Sequence, residues 1–196
     1  MSGPAGALPV SARTRAELES ELAHLRAAPA EVGTLTLLVR RPERFAREVL
    51  AEGVLDLEAG LVGDNWLERA TRAAIESGRH LDAQLNVMGS RMIGLLADSD
   101  PDRAAAGDQL FLDLDLSEAN LPVGARLAIG DSAVIEVTSK PHRGCAKFVT
   151  RYGADAAEFV NSELGRELRL RGLNARVVAG GVVRPGDQVR RVFVGT

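Results

Sequence analysis

Beyond Asp108 the apolar residues fall in short runs closed by glycine or proline, and this punctuation constrains the fold more than any other feature of the chain. Gln109-Leu110-Phe111-Leu112-Asp113-Leu114, Arg126-Leu127-Ala128-Ile129 and Ala133-Val134-Ile135-Glu136-Val137-Thr138 have strand length and strand composition. Val123-Gly124 and Ile129-Gly130-Asp131 supply tight turns between them. Leu173 to Ala179 reads as a further strand, and Val182 to Val189, with Pro185-Gly186 inside it, as an edge strand and a hairpin turn. Upstream, Gly33 to Arg40 is strand-like and ends at Arg41-Pro42, and Gln84 to Met88 forms another strand. Many short strands with few long helices predict a mostly β protein with helices, closed as a barrel.

Two segments have helical period. Leu18, Leu22 and Leu25 recur at spacings of four and three within Thr14 to Ala28, with Glu17 near the start and Pro29 after the end. Ala156, Phe159, Val160 and Leu164 share a face within Ala154 to Leu164, and Gly165 stands where a C-terminal cap belongs. Pro42 to Ala51 and Arg91 to Asp98 read as shorter helical pieces, Thr71 to His80 as a surface loop, and Gly60-Leu61-Val62-Gly63-Asp64 as a glycine turn. The expected organisation is a disordered start (residues 1–12) and an N-terminal helix within 1–30, followed by one barrel domain over 31–196.

Charge and composition remove several classes of function. A net charge of -3 and 4% aromatic residues argue against a nucleic-acid binder, which combines a basic excess with stacking rings. No apolar run approaches the roughly 18 residues of a membrane span. Met1 to Val10 lacks the basic start and apolar core of a signal peptide. With a single cysteine no internal disulfide can form. The expectation is a cytoplasmic protein whose partners include neither nucleic acid nor membrane. The three histidines, His24, His80 and His142, lack zinc-ligand spacing. Walker, dinucleotide and nucleophile-elbow motifs are also missing.

That cysteine, Cys145, lies in Lys140-Pro141-His142-Arg143-Gly144-Cys145-Ala146-Lys147, a Pro/Gly turn. Lys140, His142, Arg143 and Lys147 surround it with cationic or protonatable groups, which favour the thiolate. A thiolate is a nucleophile and a soft metal ligand; a buried, inert thiol is the alternative. His142 could donate a proton near neutral pH. Arg169, Arg171 and Arg176 form a second basic group, from which Arg171 or Arg176, but not both, is expected to contact a phosphate. Asp64 either satisfies backbone amides in its turn or lines a pocket mouth opposite Cys145. Asn86 either enters the pocket or serves the core.

In order along the chain, Gly60-Leu61-Val62-Gly63-Asp64, Leu121-Pro122-Val123-Gly124-Ala125-Arg126-Leu127-Ala128-Ile129-Gly130, Val134-Ile135-Glu136-Val137-Thr138, Cys145-Ala146-Lys147-Phe148, Arg171-Gly172-Leu173-Asn174-Ala175-Arg176-Val177-Val178 and the segment from Gly181 to Asp187 resemble the MOSC domain, named for the C-terminal domain of molybdenum cofactor sulfurases. The resemblance spans roughly residues 33–193. It implies a barrel like the β-barrel domain of pyruvate kinase, with Cys145 matching the family cysteine. It further implies that this cysteine carries sulfur as a persulfide or binds the molybdenum of a pterin cofactor. Lys140, Arg143, Lys147, Arg171, Arg176, Asp64 and Asn86 are the candidate cofactor contacts. Cys145 and His142 are the candidate catalytic pair. Many members have a histidine soon after the Gly-Asp; here the residues are Asn65-Trp66.

Three functions follow as expectations. The first is a persulfide carrier or a molybdenum-pterin reductase module. Such a module would draw electrons from a redox partner, because no flavin, haem or iron–sulfur signature is present. The second is a barrel that binds an anionic small molecule without chemistry. The third is a sulfur-delivery adaptor that docks a cysteine desulfurase through the N-terminal helix; any pyridoxal phosphate would belong to that partner.

Overall fold

The computed structural model describes residues 13–192, so the segment 1–12 expected to be disordered lies outside the described residues. The chain runs α1 (Arg15–Ser20), α2 (Leu22–Arg26), β1 (Val32–Arg40), β2 (Glu48–Val49), β3 (Gly53–Asp56), β4 (Gly60–Leu61), α3 (Arg72–Glu76) and a 3-10 turn (Arg79–Ala83). It continues through β5 (Leu85–Gly89), α4 (Ser90–Leu96), α5 (Asp100–Ala104), β6 (Leu110–Asp113), β7 (Arg126–Ile129) and β8 (Ala133–Val137). Three helices follow, α6 (Ala146–Tyr152), α7 (Ala154–Asn161) and α8 (Glu163–Glu167), and then β9 (Leu173–Ala179), β10 (Gly181–Val183) and β11 (Gln188–Val192).

Seven strands close into a barrel in the order β11-β7-β8-β9-β5-β6-β1, with β1 pairing back to β11 through Val32↔Arg190, Gly33↔Val189 and Thr34↔Gln188. Closure leaves no free sheet edge around the ring. All ring pairs are antiparallel except β5–β6, whose parallel register (Val87↔Leu110, Met88↔Phe111) needs the α4–α5 crossover between them. Strand β2 extends β1 at its end, and β10-β3-β4 form a separate small sheet.

The barrel strands are apolar on both faces because the barrel wall separates two cores. Leu35, Leu38, Val87, Leu110, Leu112, Ile135 and Ala175 fill the interior. Leu37, Val39, Met88 and Phe111 point outward, beneath a helical layer that contributes Leu18, Met92, Phe148, Tyr152 and Phe159. In β1 a bulge at Thr36 resets the alternation, so that Leu35 opposes Leu112 and Leu37 opposes Phe111. The Thr36 hydroxyl donates to the Phe111 carbonyl at 3.0 Å.

The N-terminal helix begins where expected, with Thr14 and Glu17 forming a capping box, but it breaks at Glu21 into α1 and α2. Its apolar residues Leu18 and Leu25 are buried within this chain, so an adaptor role would have to use the polar face.

Four local expectations are corrected. Pro42 to Ala51 is not helical: Phe45 takes a left-handed backbone (φ 72°), and Glu48–Val49 instead satisfies the end of β1 that β6 leaves unpaired. Thr71 to His80 contains a helix capped by the Thr71 side chain on the Ala74 N–H, whose three-residue reach the polar composition concealed. The helix expected over Ala154 to Leu164 is divided at Ser162, which turns extended (ψ 166°) and caps a new helix through the Gly165 N–H. Gly165 is therefore inside α8 and is not a cap. The residues after Cys145, read as part of a turn, form α6.

Candidate functional site

A cavity of about 1120 Å³ opens between the Arg41–Arg47 segment, the loop after β4, the 3-10 turn and the Lys140–Lys147 loop. Its wall carries ten Lys and Arg side chains against one carboxylate, Glu43. In a chain of net charge -3 this is strong segregation, and such a concave surface focuses its field on anions.

Arg41 lies at the base of the cavity and is 4% exposed. Asp64 holds it: Oδ2 accepts from Arg41 Nε and from its backbone N–H, both at 2.9 Å, and Oδ1 accepts from Nη2 at 2.8 Å. The remaining arm, Nη1, donates to Asn86 Oδ1 at 2.8 Å and to the Gly107 carbonyl at 2.9 Å. Asn86 Nδ2 donates to Asn174 Oδ1 at 2.6 Å, and Asn174 Nδ2 donates to the Lys140 carbonyl at 2.9 Å. A continuous polar chain therefore connects the Gly63-Asp64 turn to the cysteine loop. Of the two readings of Asp64, the turn aspartate holds: Oδ1 also accepts from the Trp66 backbone N–H at 3.0 Å, and the fully buried side chain does not line the mouth opposite Cys145. Asn86 lines the cavity and also joins the strands.

A second buried group lies beside it. Arg171 Nη1 donates to both oxygens of Asp108, at 2.9 and 2.7 Å, and His142 Nε2 lies 2.6 Å from Asp108 Oδ1. Burial alone would raise the Asp108 carboxyl, but Arg171 and His142 outweigh it and hold the pKa at about 2. His142 is shifted the other way: burial first, then Arg171, push its pKa below the ordinary histidine value, against the pull of Asp108. At neutral pH the imidazole is uncharged, and with Asp108 ionised its Nε2–H is the donor. That proton is engaged in the Asp108 pair. The Arg171 guanidinium also lies 5.0 Å from the Phe148 ring, which fixes it beneath α6.

Cys145 is exposed and occupies the N-cap position of α6. Partial burial would raise its thiol, but the Phe148 and Lys147 N–H dipoles and the Arg171 charge together bring it below the ordinary cysteine value. Asn161 fixes the loop immediately before it, accepting from the Gly144 N–H and donating to the Gly144 carbonyl, each at 3.0 Å. Lys140, Arg143 and Lys147 are exposed on the cavity wall, and Lys147 reaches over the Phe45 ring at 5.5 Å.

The structure thus brings Cys145, His142, Lys140, Arg143, Lys147, Asn86 and Arg171 around one cavity. Arg176 is elsewhere, on the barrel wall, where Glu136 accepts from its Nε at 3.0 Å and from its Nη2 at 2.5 Å. Of the two arginines only Arg171 lines the cavity. Sequence reasoning missed Arg41, Asp108, Asn65 and the cationic side chains Arg47, Arg69 and Arg151. Arg41 marked only a strand end, and Arg47 and Arg151 fell within segments read as helix or left unread. Asn65 is 6% exposed, lines the cavity, and its Oδ1 has no hydrogen-bond partner.

The MOSC domain model matches residues 80–190, more than half of the chain, and the chain belongs to that family. The barrel is similar to the YuaD protein of Bacillus subtilis, with a TM-score of 0.57, 16% identity, and coverage of 83% of this chain and 97% of that one. It is also similar to YiiM of Geobacillus stearothermophilus (TM-score 0.54, 18% identity, 84% of this chain and 77% of that one). YiiM of Escherichia coli gives a TM-score of 0.51 at 20% identity, covering 83% and 71%. At these identities the likeness establishes the fold. No curated protein matches the sequence. Among the described residues, no helix is long and apolar enough to cross a membrane.

Proposed function

We propose that this protein holds a phosphate-bearing pterin molybdenum cofactor in the cationic cavity, with Cys145 as the sulfur ligand to the metal. The observation that carries this reading is the pairing, in one cavity, of the only thiol with an excess of cations. A bare persulfide carrier needs an accessible low-pKa sulfur and little else. A cavity of about 1120 Å³ lined by ten basic side chains is suited to a larger anion.

The donor set fits the group. Cys145 supplies the soft ligand that a thiophilic metal takes. Asn65 Oδ1, buried and unpartnered, is an acceptor for a ring N–H, which a pterin offers and a simple inorganic anion lacks. Lys140, Arg143 and Lys147 would neutralise negative charge at the rim, while Arg41 and Arg171 are held in place by Asp64 and Asp108. When bound, the cofactor would supply oxygen-atom and two-electron chemistry. The chain would bind it, favour the Cys145 thiolate and keep His142 neutral beside it.

The reading is tested by metal analysis and intact mass on protein purified without reductant, wild type and Cys145→Ser. Stoichiometric molybdenum in wild type, lost from the variant, supports it. A gain of one sulfur atom on Cys145 without molybdenum would instead favour the persulfide carrier. If the thiol of native protein resists alkylation and neither species is found, the binding-only barrel replaces both.

A further inference from the structure

Gly107 is the point where three guanidinium groups meet. Its backbone has φ +86°, and a Cβ there would lie 3.1 Å from Arg47 Nη2 and 3.7 Å from Arg151 Nη1. The space over its bare Cα is therefore bounded by two arginine head groups, and a third, Arg41, grips the Gly107 carbonyl at 2.9 Å. Among the described residues no carboxylate lies within ion-pair distance of Arg47, Arg69 or Arg151. Asp64, the nearest acidic influence on this group, has both oxygens committed to Arg41. Glu43, on the same cavity wall, is exposed.

Arg47 is in an unfavourable setting for a cation. Burial, and then the charges of Arg151, Arg41 and Arg69, bring its pKa down to about 10, and its Nε is buried without a hydrogen-bond partner. Clustered guanidinium groups without counter-charge destabilise the folded protein, and an anion with several acceptor oxygens relieves that cost. Asn65, nine-tenths buried on the same wall, carries a second unsatisfied atom, Oδ1.

We infer that the corner over Gly107 is a phosphate cradle in which Arg47 and Arg151 hold a phosphate monoester, with Arg69 adding charge. This deepens the cofactor reading, on which it rests for the rest of the ligand, by assigning the phosphate end of that ligand to the Gly107 corner. Two sources offer the same chemistry, free inorganic phosphate and an esterified phosphate, and the test uses both.

Calorimetric titration of the full chain with inorganic phosphate and with glycerol 3-phosphate reads the cradle directly, without metal or activity. Both probes should bind wild type, the monoester at least as tightly. Arg47→Gln should weaken both by tenfold or more, and Arg47→Lys, which keeps the charge but loses the planar fork, by less. Arg151→Gln should act like Arg47→Gln; because Arg151 also donates to the Ala105 carbonyl, its fold is checked by circular dichroism. Arg166→Gln, an exposed change outside the cavity, should alter affinity by less than twofold. Wild type that binds neither probe, or Arg47→Gln that binds both unchanged, overturns the cradle. Phosphate binding lost in Arg47→Gln together with no molybdenum in any preparation supports the cradle and removes the cofactor reading alone.

Discussion

Asn86 Nδ2 donates to Asn174 Oδ1 at 2.6 Å, and this one bond connects the two halves of the site. The residues face each other across the antiparallel β5–β9 pair, in register Asn86↔Asn174. On one side Asn86 accepts from Arg41, which Asp64 holds; on the other Asn174 donates to the Lys140 carbonyl at the head of the cysteine loop. The barrel wall thereby fixes both the cationic floor and the loop that presents Cys145.

Breaking that bond should cost stability and loosen the loop together. Asn174→Leu leaves Asn86 Nδ2 and the Lys140 carbonyl without partners, an expected loss of about 1–3 kcal/mol in urea unfolding. Amide exchange in the Lys140–Cys145 segment should accelerate while exchange in β7 and β8 is unchanged. Equal acceleration everywhere would mean the pair only holds the barrel.

The Asp108 group predicts a specific acid sensitivity. Its carboxyl is lower in the folded state than in an unfolded chain, so the stabilisation is complete above the ordinary aspartate pKa and disappears as pH falls towards about 2. The shift corresponds to roughly 2 kcal/mol. Asp108→Asn should unfold more easily at neutral pH and show a flatter stability curve between about pH 4 and 2.

His142 predicts a second, separate window. Its folded pKa lies below the unfolded value, so the neutral form contributes stability that is present above the ordinary histidine pKa, near 6.5, and is lost as pH falls through the folded value. His142→Gln should remove that dependence in thermal melts below about pH 6.5; because His142 is one of the two groups that hold Asp108 low, the aspartate window should also narrow, with Arg171 keeping part of it. A variant with unchanged slope in the upper window would show that His142 is not the titrating group.

Gly172 gives a packing prediction. It adopts φ +107°, and a Cβ there would lie 2.0 Å from the Val87 carbonyl oxygen. Gly172→Ala should destabilise by more than about 1 kcal/mol, from backbone strain and displacement of β9 from β5. Because Arg171 precedes it, the Cys145 alkylation rate should also change; an unaltered rate would uncouple the strand from the site.

The barrel was legible because strand length and turn chemistry are local properties: Leu127–Ile129 and Ala133–Val137 announce themselves by punctuation. Cys145 was legible for the same reason, its charged neighbours being adjacent in sequence. Arg41 and Asn174 were not, because their roles depend on partners far along the chain that only barrel closure brings near; for Asp64 the turn amide was legible and the hold on Arg41 was not. Asp108 sits between two strand signals and acquires its meaning from Arg171 and His142. The choice between Arg171 and Arg176 could not be made from the pattern: Arg171 precedes β9 and takes its direction from distant Asp108, while Arg176 lies within β9, where the register opposite Glu136 decides its side.

The proposed function turns on Cys145 as a ligand to molybdenum inside the cationic cavity. Molybdenum K-edge absorption on protein reconstituted with the pterin cofactor tests it most directly, wild type against Cys145→Ser. The variant should show one sulfur scatterer fewer at the metal. A spectrum identical in both proteins would show that the thiol is not a ligand and would contradict the assignment.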